Sequence, residues 1–253
     1  MKTLKSKKQI SFLTLCFLLP FLFISCEDDN ITSPSNNGKQ LLFNSLLSDT
    51  INADNIMALF KLSSMYTGYY SVFSEGSFAW AYLTDGVDLV PANIKCNGEL
   101  MRDMSPDTSG GQYEFFSRKH VNNYEFVIPN YLGQKLIVIN ETDVPTLKVL
   151  QYTNGDTVSL TNGFTLNYSG YNPDIPINLC IYLEGQQPVN KELVANGSIE
   201  FTPDMLKKLV GNKSKVWLKL SLIQDSSKIV DIGNNKQAFI IIETMTGLGF
   251  VVK

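Results

Sequence analysis

Histidine is all but missing from this sequence: among 253 residues there is one, His120. Tryptophan occurs twice, at Trp80 and Trp217, and cysteine four times. With one histidine and so few thiols, none of the usual zinc-ligand spacings can be assembled. A Ser-His-Asp triad needs only one histidine, so the count alone does not exclude it. But no Gly-x-Ser-x-Gly elbow occurs. His120 follows Arg118-Lys119 and precedes Val121-Asn122-Asn123, a polar loop in which it is expected to be a solvated residue and not a tuned base. Also lacking are a Gly-x-Gly-x-x-Gly turn, a phosphate-binding loop and an EF-hand. Asp28, Asp29 and Asn30 cluster, but within a polar stretch near the N-terminus. No catalytic residue, cofactor or metal ligand is therefore assigned. Two carboxylates could hydrolyse a glycoside without histidine. Glu75, Asp85, Asp88, Glu99, Asp103 and Glu114 are the acids available for that, and their expected role is to solvate loops.

Only one long apolar run is present, over residues 10–24, behind Met1-Lys2-Thr3-Leu4-Lys5-Ser6-Lys7-Lys8. It is short of the ~20 residues of a transmembrane helix and suits the ~7–15-residue apolar region of a secretory signal. The run ends Leu22-Phe23-Ile24-Ser25-Cys26, which resembles the lipobox of bacterial lipoproteins; Phe23 stands where leucine is usual. Cys16 is no rival, because Leu15 before it is not small and the apolar run continues past it. The resemblance implies a signal peptide over residues 1–25, cleavage before Cys26, a diacylglyceryl group on the Cys26 sulfur and acylation, such as palmitate, of the new amine. Two or three chains on one residue hold a protein to a membrane, since each buried CH₂ contributes ~0.8 kcal/mol. Glu27-Asp28-Asp29 resembles the surface-export signal of some Gram-negative lipoproteins. The expected location is thus the outer membrane, lipid-anchored, with the body either exposed at the cell surface or facing the periplasm, where the acids would simply favour a solvated tether.

Without the four lysines of residues 1–25, the 21 basic residues fall to 17 against 24 acids, a net charge of about −7. Such a surface repels phosphate backbones, so nucleic acid is not an expected partner. The expected partners are the membrane, through the anchor, and an envelope protein or a glycan. Residues 26–40, with Pro34, Asn36, Asn37 and Gly38, read as a flexible lipidated tether.

The remainder alternates like strands. Ser77-Phe78-Ala79-Trp80-Ala81-Tyr82-Leu83 sets large aromatics against small residues at period two. Residues 87–95 read as the next strand and Asn97-Gly98 as a hairpin turn. Residues 113–116, 124–128 and 135–140 continue the pattern, and residues 52–62 suit either a helix or an edge strand. From Phe164-Thr165-Leu166-Asn167-Tyr168 the style restarts. Val216, Leu218, Leu220 and Leu222 are expected to face a core, with Lys215, Trp217, Lys219 and Ser221 outward. Thr202, Pro203, Asp204 and Gly211 predict one short helix over residues 203–210. The fold class expected is all-β: an N-terminal β-sandwich over residues 41–158 and a C-terminal one over 159–253. The C-terminal sandwich resembles the Ig-like or fibronectin-like modules of bacterial surface lipoproteins, although the immunoglobulin Cys…Trp…Cys spacing is absent. Cys96 and Cys180 fall in different halves and are expected to be separate thiols.

One segment is dense in aromatics: Tyr66, Tyr69, Tyr70, Phe73, Phe78, Trp80 and Tyr82. It supplies either a sandwich core or a binding surface; Tyr168 and Tyr171 pose the same question in the C-terminal half. The function expected is non-enzymatic binding or adhesion at the cell envelope. The alternatives are an accessory subunit of an outer-membrane assembly and a two-carboxylate glycoside hydrolase. Replacing Cys26 by alanine should abolish metabolic labelling with fatty acid and release the protein from the membrane fraction. Undiminished labelling would remove the lipoprotein reading.

Overall fold

The computed structural model describes residues 55–67, 75–86, 89–105, 111–183 and 186–253. Residues 1–54, which include the segments expected to be a signal peptide and a tether and Cys26 itself, lie outside these, as do Tyr69, Tyr70, Phe73 and Asp88. The described chain is mostly β, with one helix. In order the strands are β1 Ile56–Thr67, β2 Glu75–Leu83, β3 Lys95–Cys96, β4 Glu99–Leu100, β5 Arg102–Asp103, β6 Gln112–Ser117, β7 Tyr124–Tyr131 and β8 Gln134–Glu141. They continue with β9 Lys148–Val149, β10 Thr157–Val158, β11 Phe164–Ser169, β12 Ile177–Leu183, β13 Val189–Leu193, β14 Ser198–Phe201, β15 Val216–Gly233 and β16 Lys236–Val252. Helix α1, Pro203–Val210, lies between β14 and β15.

A large sheet runs β13-β12-β15-β16-β1-β2-β6-β5, with β10 added against the end of β16. Two small sheets, β4-β3-β7-β8 and β14-β11-β9, form a second layer. Both pack on the same face of the large sheet, here the first face. Over one half, Phe60, Ala79, Ala81 and Ile240 meet Phe126, Ile128 and Ile139 in a first core, with the Phe60 and Phe126 rings 4.5 Å apart. Over the other half, Leu218, Leu220, Leu222 and Phe250 meet Leu166, Phe201, Leu206 and Val210 in a second core.

Hairpin β15–β16 serves both cores. Its strands are 18 and 17 residues long, joined at Asn234 and Asn235, whose φ of 54° and 57° suit a tight hairpin turn. The first core takes Ile232, Ala238 and Ile240 from it, and the second takes Leu218, Leu220, Phe250 and Val252. β1 is a central strand, parallel to β16 on one side and antiparallel to β2 on the other; neither a helix nor an edge strand forms there. Its ladder partner lies 180 residues downstream, beyond the reach of local periodicity. The strand expected over residues 87–95 is reduced to Lys95–Cys96. Pro91, which has no N–H to give a ladder, lies in the irregular stretch before it. The Asn97-Gly98 turn forms as expected, both residues with positive φ. So does the helix: the Thr202 hydroxyl accepts from Met205 N at 3.3 Å and Gly211 closes it at φ 65°.

Between the two cores the first face turns polar along one ladder row. Ser77 lies opposite Ser64, Ser64 opposite Thr244, and Thr244 opposite Gln224. All four are at most 2% exposed, and each is engaged by a loop of the second layer. Ser77 Oγ accepts from Val121 N at 2.8 Å, and Ser64 Oγ lies 3.0 Å from His120 Nδ1. Thr244 Oγ1 accepts from Leu147 N at 2.9 Å. Gln224 accepts from Asn172 N at 2.7 Å and donates to Asn172 O and Ile175 O at 2.8 and 2.6 Å. Buried polar groups that are paired cost little, whereas an orphaned one costs about 1–3 kcal/mol. Thr244→Val keeps shape but strands the Leu147 N–H, so it should lower urea-unfolding stability by about 1–3 kcal/mol with the m-value unchanged. A loss below ~0.5 kcal/mol would show that the row contributes nothing.

Candidate functional site

The second face of the large sheet carries a row of different chemistry. Asp225 lies opposite Glu243, Glu243 pairs in register with Ser63, Ser63 with Phe78, and Phe78 with Phe116. In the next row stand Ile241, Lys61, Trp80 and Glu114. Strand alternation accounts for this: residues beside those that fill the first-face cores must point the other way.

Lys61 Nζ is 3.4 Å from Glu243 Oε2, both side chains about one-fifth exposed at 19% and 20%. Ser63 Oγ donates to Glu243 Oε1 at 3.5 Å, and Asn178 Nδ2 donates to Asp225 Oδ1 at 3.3 Å. Opposed residues on adjacent strands have Cβ atoms ~5 Å apart, so two carboxylates there repel. Burial first, then Glu243, raise the Asp225 carboxyl from its ordinary 3.8; the Asn178 hydrogen bond and Lys61 pull the other way. Two adjacent carboxylates are the raw material of acid–base work, but here each is already held by partners within the molecule.

The aromatic residues extend the cluster sideways. The Lys61 ammonium lies 6.0 Å from the Trp80 ring centroid. Trp80 and Phe78 stack at 5.6 Å, and Phe78 meets Phe116 at 4.7 Å. Only Phe116, at 45%, is well exposed. Tyr82 packs with Ile56, Leu59, Phe239 and Ile241 in a satellite cluster. Tyr66 stacks on His120 at 4.2 Å and takes the Lys148 ammonium at 4.9 Å. Where described, the aromatic segment is thus engaged ring by ring with its own chain. Tyr168 and Tyr171 pack edge to face at 5.2 Å.

His120 is not the solvated loop residue expected: it is half-buried, against Tyr66 and Ser64. The Ser64–His120 distance suits a nucleophile and its base, but Ser64 is 1% exposed and its oxygen belongs to the buried row. Ser221, expected outward, is 2% exposed. Trp217 lies against Gly249: a Cβ there would come within 2.4 Å of its ring. Cys96 and Cys180 are both free and buried. Burial pushes the Cys96 thiol up to about 12 and raises that of Cys180, which makes both poor nucleophiles at neutral pH.

Of the acids singled out from sequence whose side chains are described, Glu114 alone joins the second-face cluster, opposite Trp80, while the side chain of Glu75, like Asp88, lies outside the described residues. Asp85, Glu99 and Asp103 are exposed elsewhere. Asp225 and Glu243 are not legible in the sequence because the hairpin register that brings them together passes a bulge between Asp231 and Gly233: counting outward from the Asn234-Asn235 turn would set Asp225 against Thr244, one position off. No group of three or more His, Cys, Asp or Glu residues that could hold a metal ion occurs among the described residues.

Because the folded pKa of Asp225 is raised, the stability it lends is complete below pH 3.8 and is lost as pH rises through the folded value. Asp225→Asn keeps an acceptor for Asn178 and removes that loss. It should therefore melt higher than the wild type at pH 7, with the difference closing below pH 3.8. An equal or lower melting temperature at pH 7 would contradict the assignment. No protein-family model matches the chain, and no curated protein matches it.

Proposed function

We propose that this chain is a cell-envelope lipoprotein, held to the outer membrane through Cys26, whose β-rich body binds a protein partner without catalysing a reaction. On this reading the body is two Ig-like sandwich units, over residues 41–158 and 159–253, and the hairpin β15–β16 serves the cores of both. The anchor rests on the lipobox-like Phe23-Ile24-Ser25-Cys26. The observation that favours a protein over a glycan is the state of the aromatic rings. A sugar stacks on an open ring face, but Trp80 already has Phe78 and Lys61 against it, and Tyr66 has His120 and Lys148. Among the described rings of the segment, the one left well exposed beside them is apolar Phe116, of the kind that seats against another protein.

The test is crosslinking in intact cells with a photoreactive amino acid in place of Phe116. A discrete protein adduct that recurs after stringent purification is expected. Absence of any protein adduct, with retention of the purified protein on envelope polysaccharide, would move the function to glycan binding.

A further inference from the structure

β15 runs on well beyond its neighbour. β12 pairs with it only from Leu218 to Ile223. From Gln224 to Gly233, no strand among the described residues pairs with β15 on the side away from β16.

The direction of the free backbone groups is fixed by the far end of the hairpin. Gly155 N donates to Gly249 O and Val251 N to Asp156 O, at 2.7 and 2.9 Å. Odd-numbered residues of β16 there turn their N–H and C=O away from β15, and even-numbered ones such as Phe250 turn toward it. Phe250 lies opposite Leu218, so even-numbered residues of β15 face β16 and odd-numbered ones face the opposite edge. The register is unbroken to Asp231, opposite Gln237. Beyond the end of β12, the outward groups therefore belong to Asp225, Ser227, Ile229 and Asp231.

Side-chain amides mark both ends of this stretch. Gln224 holds Asn172 and Ile175 at one end, and Gln134 Nε2 donates to Ile232 O at 2.5 Å at the other. Open edges are usually guarded by proline, a bulge or a projecting lysine. No proline occurs in residues 225–231, and the bulge comes only after Asp231. The one lysine, Lys228, has its ammonium 2.6 Å from Glu141 Oε2 and is not free to project. Ser227 and Asp231 are exposed, and Ile229 is 43% exposed.

We propose that the edge of β15 from Asp225 to Asp231 accepts an extended segment of a protein partner as an added strand. Main-chain hydrogen bonds to Asp225, Ser227, Ile229 and Asp231 hold it. Its side chains on the first face adjoin Val230 and Ile232 at the rim of the first core, which suits apolar residues. On the second face they adjoin Asp225, Ser227, Ile229 and Asp231, an acid at each end of the stretch, which suits lysine or arginine. The partner segment thus alternates apolar and cationic residues. The inference rests on the protein-partner reading for the class of ligand alone, since strand addition needs no anchor.

The test uses the full chain purified in detergent and a labelled eleven-residue peptide of alternating valine and lysine, followed by fluorescence anisotropy. Binding is expected, together with slowed hydrogen exchange at the Ser227 and Ile229 amides. Ser227→Pro removes an outward N–H and no bond to β16, so it should weaken binding about tenfold or more while leaving the melting temperature in place. A peptide N-methylated at every second residue needs no variant of the protein and should not bind; a valine–glutamate peptide should bind far more weakly. The proposal is overturned by no binding of the valine–lysine peptide, by equal binding of the N-methylated one, or by Ser227 and Ile229 amides as protected in the free chain as those of Leu220 and Leu222. Loss of the envelope reading, through persistent lipid labelling of the Cys26 variant, would leave these outcomes untouched.

Discussion

The two layers of the described chain meet at one ladder row, Ser77-Ser64-Thr244-Gln224, crossing four strands between two apolar cores. A continuous apolar face of this length would let the second layer slide, because hydrophobic contact is non-directional. Four buried polar side chains remove that freedom. Each must find a partner or cost free energy, and each finds one in a specific loop: Val121, His120, Leu147, and the Asn172–Ile175 turn. The row thereby positions both small sheets with hydrogen bonds, while the cores supply the bulk of the stabilisation. Lys228 and Glu141 add an ion pair between β15 and β8 on the same face.

The same register determines the other face. Because alternate residues of β1, β2, β15 and β16 are committed to cores and row, the residues between them gather Lys61, Ser63, Asp225, Glu243, Phe78 and Trp80 into one cluster. Its charges are mostly compensated: Lys61 and Ser63 hold Glu243, and Asn178 holds Asp225. Among the described residues, no strand pairs with the backbone along the half of β15 that reaches beyond β12. Length is the cause, since a strand long enough to serve two cores outruns a neighbour that serves one.

Local chemistry was legible in the sequence and long-range register was not. The helix over residues 203–210 could be read because Thr202, Pro203 and Gly211 act within one or two turns of each other. The Asn97-Gly98 turn and the inward set Val216, Leu218, Leu220 and Leu222 were legible for the same reason. The middle of β15, Gln224-Asp225-Ser226-Ser227-Lys228, is polar on both faces and carries no alternation of its own; it is a strand because β16 pairs with it throughout. His120 reads as solvated because nothing local announces Ser64 or Tyr66, 56 and 54 positions earlier. The parallel pairing of β1 with β16 lies further still from any local signal, and the meeting of Ser64 with Thr244 in the row and of Lys61 and Ser63 with Glu243 follows from it.

Native-state hydrogen exchange tests the central claim most directly. The amides of Val121, Leu147 and Asn172 donate to the row from three separate loops. If the row fastens the second layer, all three exchange only through the opening that also exposes Leu220 of the second core and Ile240 of the first, with one common free energy. Exchange of the three amides at rates typical of surface loops, or separate opening energies for the two cores, would contradict it.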